Sequence, residues 1–229
     1  MNVNIHRLLQ EAAAAAPKAE WIGLRRCTDH LSVFSAIDGK FDQGFGAADQ
    51  GLMLEVLYKG AFGYAATADM STDGIKQAAA RAFIAAQSAS PYALYQFDQS
   101  VRPAAKVRYT SQRKTRSGLP AGETAELLCS ICNAARVSPQ VIQTAASCEI
   151  GISEVEIVST NGADVRQTLY FGGISMNAVA REGDLVQQRS ANGHSACTYQ
   201  GGRELFDAAQ LLAQAHKAGT EAVELLTAE

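Results

Sequence analysis

Hydrophobic and polar positions recur at two periods along the chain, and each change of period marks an element. Ile5, Leu8 and Leu9 fall at helical spacing over residues 3–16, and Pro17 closes that segment. Two runs of strand character follow, EWIGLRRC (20–27) and LSVFSAI (31–37). Asp38-Gly39 then supplies a hairpin turn, because both central residues of a type I′ turn need positive φ. GLMLEVLY (51–58) predicts another strand, Lys59-Gly60 another turn and AFGYAAT (61–67) a further strand. Ser71 or Asp69 can cap a helix running to about Ala89, with Ile75, Ala79, Ala82, Phe83 and Ala86 on its apolar side.

Residues 98–122 change character. They hold prolines, glycines and the cations Arg102, Lys106, Arg108, Arg113, Lys114 and Arg116, which predicts a basic linker or long loop. The pattern then restarts. GETAELLCSICNAARVS (122–138) predicts a helix, QVIQTAASCEI and SEVEIVST predict strands, and Asn161-Gly162 predicts a turn. TLYFGGISMNAVA, a Glu182-Gly183 turn and DLVQQRS complete the strands, and a last helix runs from about Arg203 to Lys217. The turn pairs Asp38-Gly39 and Asn161-Gly162 stand 123 residues apart, as do Lys59-Gly60 and Glu182-Gly183. Matching helices flank them, which argues for an internal duplication. The fold expected is α+β: two related helix–four-strand–helix units, 1–97 and 123–229, with mostly antiparallel sheets, joined by residues 98–122.

Composition narrows the classes. The 229 residues are 47% hydrophobic and 19% charged, with a formal net charge of −3, so no global field draws the chain to nucleic acid or to an anionic membrane. The opening MNVNIHRLLQEAAAAAP ends in alanines, but His6, Arg7, Gln10 and Glu11 interrupt what would be the apolar core of a signal peptide. A cytoplasmic location is the expectation. The five cysteines, Cys27, Cys129, Cys132, Cys148 and Cys197, are odd in number and suggest no disulfide framework.

Candidate chemistry is sparse. Cys129-Ser-Ile-Cys132 is a CxxC, but it falls in the middle or late part of a helix beside Leu127, Leu128 and Ile131, whereas a redox cysteine belongs at a helix N-terminus. Core packing is the better reading. His194 and Cys197 lie together in ANGHSACTYQGG, an insertion in the second half, where adjacency in a loop does not supply the geometry of a catalytic pair. No two histidines share HxxxH spacing. Gly44-Phe-Gly46-Ala-Ala-Asp49 lacks the third glycine and the following helix of a dinucleotide fingerprint. The basic run with Tyr109 is better explained as a solvated face than as a phosphate contact, and Glu154 and Glu156 are expected to face solvent.

Asp38-Gly39, Asp49-Gln50-Gly51, Gly60-Ala-Phe-Gly63-Tyr-Ala65 and Ser71-Thr72, in that order, resemble the N-terminal region of the TldD/PmbA proteins. STNGADVRQTLYFGGISMNAVAREGDLVQQRS resembles the family's middle region, and Asp164-Val165-Arg166 with REGDLVQQRS is closer to its TldD branch. The resemblance implies a zinc metallopeptidase acting on peptides, also labelled a modulator of DNA gyrase, with TldD-type and PmbA-type subunits paired as dimers. It places the catalytic HExxxH in the C-terminal half, just after a segment like EAVELLTAE. HExxxH occurs nowhere in these 229 residues, so the resemblance carries over no catalytic, metal or cofactor residue. The expectation is therefore a portion that shapes the peptide cleft and the dimer, partnered by a catalytic half or another family subunit and inactive alone. The alternative is a non-catalytic binding or scaffold protein that pairs with a family member.

Overall fold

A computed structural model describes residues 3–112, 120–194 and 197–228, without the side chains of residues 192–194, 197 and 203. Among the described residues the helices are α1 (Ile5–Ala15), α2 (Thr72–Ala89), α3 (Ala121–Ala135) and α4 (Ala208–Glu224). The strands are β1 (Trp21–Ile37), β2 (Lys40–Tyr58), β3 (Ala61–Thr67), β4 (Lys106–Thr110), β5 (Val141–Ser159), β6 (Asp164–Glu182), β7 (Leu185–His194) and β8 (Cys197–Gln200). The fold is α+β with largely antiparallel strands; β4 pairs with β6 in parallel.

The turn chemistry sets the hairpins. Asp38 and Gly39 have φ of 52° and 76°, and Lys59 and Gly60 of 45° and 73°, the positive pair of a type I′ loop. The later counterparts keep the glycine but not the loop. Gly162 has φ 95° in a longer connection between Ser159 and Asp164. Gly183, φ 59°, opens a Gly183-Asp184 loop because Glu182 pairs with Leu185, one residue beyond the expected turn.

In each repeat the four predicted strand segments form three strands. EWIGLRRC and LSVFSAI are one strand, β1, because Thr28, Asp29 and His30 stay extended with their polar groups at least partly in solvent. QVIQTAASCEI and SEVEIVST likewise fuse into β5. The glycine-rich stretch before GLMLEVLY is strand as well, the exposed first part of β2. The last helix starts later than expected, after a 3-10 turn at Arg203–Leu205, and continues past Lys217 to Glu224. Gly219 looks like a helix stop in sequence but serves packing: a Cβ there would lie 2.1 Å from the Ala135 carbonyl oxygen, so it lets α4 approach the end of α3.

Two compact units emerge, each assembled from both repeats. Unit 1 comprises Met1–Asp29, Ala48–Thr110 and Ser153–Thr168; unit 2 comprises His30–Ala47, Ser111–Ile152 and Leu169–Glu229. Each repeat thus gives the tip of its long hairpin to the unit that holds the other repeat's helices.

In unit 1 the strands run β3-β2-β1-β5-β6-β4. One face buries Ile22, Leu24, Leu54, Val56 and Val158 against Ile5, Leu8 and Ala12 of α1 and Ile75, Ala78 and Ala82 of α2. Asn4 and Ser71 cap the two helices by accepting from the His6 and Gly74 amides at 2.9 and 3.1 Å. Of the segment expected to be a linker, Gln99–Val101 form a 3-10 turn and Lys106–Thr110 form β4 against Asp164–Thr168 of β6. Residues 113–119, which include Arg113, Lys114 and Arg116, lie outside the described residues.

In unit 2 the order is β2-β1-β5-β6, with β7 and β8 both pairing with β6. Its core joins Leu128, Ile131 and Cys132 of α3 and Leu211 and Ala215 of α4 to Val141, Cys148 and Met176 of the sheet. No helix among the described residues is long and apolar enough to cross a membrane.

Candidate functional site

The predicted motifs fall into structural roles. Cys132 is buried in the unit 2 core, its thiol donating to the Ala36 carbonyl at 3.5 Å, and desolvation raises its pKa. Cys129 is half-buried on the same helix, and both are free thiols. Burial pushes the Cys148 thiol up to about 12. These are packing cysteines, without the electropositive, exposed setting of a reactive thiolate. His194 and Cys197 sit at the facing ends of β7 and β8, but their side chains, and residues 195 and 196, lie outside the described residues.

On the helix-covered face of unit 1, Glu156 accepts from the Arg26 guanidinium, with the Nε contact at 2.7 Å, and Arg26 also donates to the Val3 carbonyl at 2.7 Å. Arg26 is only 6% exposed, so Glu156 balances a buried charge instead of facing solvent. Beside it, Arg108 holds Asp164 at 2.8 Å, and that hydrogen bond lowers the Asp164 pKa. His6 approaches the same carboxylate at 3.6 Å.

The opposite face of unit 1 carries a second polar centre. Glu55 interrupts the apolar run of β2, and strand alternation turns it, with Met53, away from the helices. It is 8% exposed and accepts two hydrogen bonds from Arg102, at 3.1 and 2.7 Å. Arg102 also lies 5.1 Å from the centre of the Phe62 ring, against which Trp21 packs edge-on. Asn161 ties these groups together: it accepts from the Trp21 indole N–H at 3.0 Å and donates to the Arg102 carbonyl at 2.8 Å. Burial, then the Glu55 carboxylate, raise the Tyr64 phenol.

This clamp roofs a pocket of about 260 Å³ whose walls include Trp21, Leu24, Met53, Ile157 and Val165, with Arg102 and Pro103 above. Arg25 and Met53 are shared with an adjoining open groove of about 610 Å³, which takes in Asp29, Asp49, Gln50 and Gly51. Gln50 is held there by donating to the Thr28 hydroxyl at 2.8 Å. The Asp49-Gln50-Gly51 stretch picked out in the sequence therefore lines a cleft. Arg25, Glu55 and the Arg102 clamp carry no local motif; a lone carboxylate inside the apolar run GLMLEVLY was the one signal of them.

Unit 2 presents a different feature. Lys40–Ala47 of β2 is exposed at every residue and, among the described residues, pairs on one side only, with β1, since β3 reaches β2 no earlier than Leu52. Ser35 on β1 donates to Asp42 at 3.0 Å. Lys40 and Asp42 are charged residues of the kind that discourage indiscriminate edge pairing, and among the described residues no second strand pairs with this edge.

Among the described residues no three His, Cys, Asp or Glu side chains are grouped to hold a metal ion. The donor set of a zinc centre does not fit them.

Two family models match the chain, PmbA/TldA metallopeptidase domain 1 over residues 31–86 and PmbA/TldA metallopeptidase central domain over residues 114–226. The chain belongs to the TldD/PmbA family. Solved structures share the fold. A Thermotoga maritima protein described as a modulator of DNA gyrase superposes with a TM-score of 0.67 at 14% identity, covering 95% of this chain and 48% of its own. A Bacteroides thetaiotaomicron protein of the same description gives 0.66 at 15%, covering 98% and 50%. TldE from Thermococcus kodakarensis gives 0.59 at 12%, covering 94% and 47%. The chain thus spans about half the length of these TldD/PmbA-type structures. No curated protein matches the sequence.

Proposed function

We propose that this chain is the peptide-receiving, non-catalytic part of a TldD/PmbA-type metallopeptidase, and that it receives extended peptide by strand addition at Lys40–Ala47. The observation that carries this reading is that edge: eight consecutive exposed residues of a strand paired, among the described residues, on one side only. An extended chain laid against it gains a ladder of backbone hydrogen bonds with little demand on sequence, which suits a peptidase that accepts unfolded segments. Family membership supports the class of reaction. HExxxH does not occur in these 229 residues, and in this reading zinc and bond cleavage belong to a catalytic partner, either the family's C-terminal half or another family subunit in a dimer.

Backbone N-methylation tests it. Strand addition needs the peptide's own N–H donors, so methylating alternate amides on the bonding edge weakens binding, while scrambling the side chains changes it little. Equal binding of methylated and unmethylated peptides would refute strand addition.

A further inference from the structure

Among the described residues, the pocket on the open face of unit 1 has one cation whose side chain has no partner. Two guanidiniums reach it, those of Arg102 and Arg25. Arg102 is committed to Glu55 through two hydrogen bonds. Arg25 is exposed, lines both the pocket and the groove, and its side chain has no ion pair or hydrogen bond among the described residues. Behind it the walls are mostly apolar, Trp21, Met53, Ile157 and Val165, with Ser159 and the Arg102-paired Glu55 also in the lining. Gly23 forms part of this lining, and a Cβ there would lie 2.3 Å from the Trp21 ring, so the glycine is what allows the indole to lie flat over β1.

We propose that this pocket binds the C-terminal residue of a peptide, with an apolar side chain among Trp21, Met53 and Ile157 and the terminal carboxylate on Arg25. Charge complementarity selects an anion at the mouth, because an unpaired guanidinium is built for bidentate carboxylate contact. Size selects one side chain: a volume of about 260 Å³ holds a leucine- or phenylalanine-sized group but not a longer ligand. The adjoining groove selects a peptide over a free amino acid, since it gives the preceding residues room beside Gln50, Gly51 and the acidic Asp29 and Asp49. A peptide with a basic residue or free amine a few positions back matches those acids. This inference is independent of strand addition at Lys40–Ala47 and stands or falls on its own measurement.

The chain's single tryptophan lies in the pocket, so its fluorescence reports occupancy. The probes are a basic-to-apolar tetrapeptide, Lys-Ala-Ala-Leu, with a free carboxyl terminus, its C-terminal amide, and N-acetyl-leucine. The acid should bind about tenfold or more tightly than the amide, the worth of one charge-assisted contact. Arg25→Ala should abolish that difference, and Ala105→Phe, which fills the pocket, should weaken the acid and the amide alike. Arg25 is exposed, so its loss leaves the fold intact, and an unchanged circular dichroism spectrum checks this. Equal binding of acid and amide, or no Trp21 response at millimolar peptide, would overturn the proposal. N-acetyl-leucine binding as tightly as the tetrapeptide would overturn the peptide as occupant.

Discussion

Gly63 shows how tightly the first repeat is built, and it gives a sharp test of the packing account. It lies in β3, beneath α2, where an added Cβ would stand 2.1 Å from the Ala82 carbonyl oxygen and 2.3 Å from the Ala86 amide nitrogen. Both obstacles are backbone, so no side chain can rotate away. Relief requires α2 to lift by roughly 1 Å, and a gap of that size forfeits about a quarter to a half of each dispersion contact beneath it. The contacts at stake are those of Ile75, Ala78, Ala79 and Ala82, all fully buried. Overpacking of this kind costs roughly 1–3 kcal/mol, while replacing a strand glycine returns about 0.5–1 kcal/mol of backbone entropy. Gly63→Ala should therefore destabilise by about 1 kcal/mol, or roughly 2–4 °C in Tm for a chain of this size. Gly51 supplies the control: it lies on β2 with nothing within 4 Å of an added Cβ. Gly51→Ala should be neutral or slightly stabilising. Urea unfolding followed by Trp21 fluorescence measures both. Gly63→Ala as stable as Gly51→Ala would refute the close approach of α2 to β3.

Other outcomes follow from the same structure. The hydrogen bond from Arg108 holds the Asp164 carboxyl below its ordinary 3.8, so the unfolded chain binds more protons as pH falls through that value. Stability should then be flat above about pH 5 and decline on acidification below about pH 4, with a shallower decline in Asp164→Asn; an identical acid slope in the variant would contradict the pairing. Cys132 and Cys148 should resist a thiol reagent at pH 8 until the protein unfolds, while half-buried Cys27 and Cys129 react sooner. Peptide mapping reads the order, and early labelling of Cys148 would show that its environment is not the buried one described. Metal analysis of the purified chain should find no stoichiometric zinc, and one tightly held zinc per chain would contradict the assignment of the metal to a partner.

Local chemistry made much of this fold legible. Asp38-Gly39 and Lys59-Gly60 announced their turns because few residues tolerate positive φ, and Ser71 announced its helix because an amide needed an acceptor. The long strands were hidden. Thr28, Asp29 and His30, and the stretch from Lys40 to Gly51, carry too little apolar alternation to signal a strand, yet backbone pairing carries the strand through them. The exchange of hairpin tips between units was hidden for a related reason: those tips are ordinary strand in sequence, and only their length brings each to the other repeat's helices. The candidate cleft was the least visible part. Glu55 and Arg102 lie 47 positions apart, and Asn161 reaches the Arg102 carbonyl from 59 positions away, so no spacing rule connects them. The described part of the basic segment is largely exposed, as its charge suggested, but the pairing of Arg102 with Glu55 and of Arg108 with Asp164 left no local signal.

Hydrogen–deuterium exchange tests the central claim most directly. The chain is compared with and without an unstructured peptide, in the presence of the family's catalytic half. Strand addition predicts slowed exchange at alternate amides of Lys40–Ala47, those facing away from β1, with their neighbours unchanged. Peptide binding that leaves every amide of Lys40–Ala47 exchanging at its free rate would contradict the proposed role of this edge.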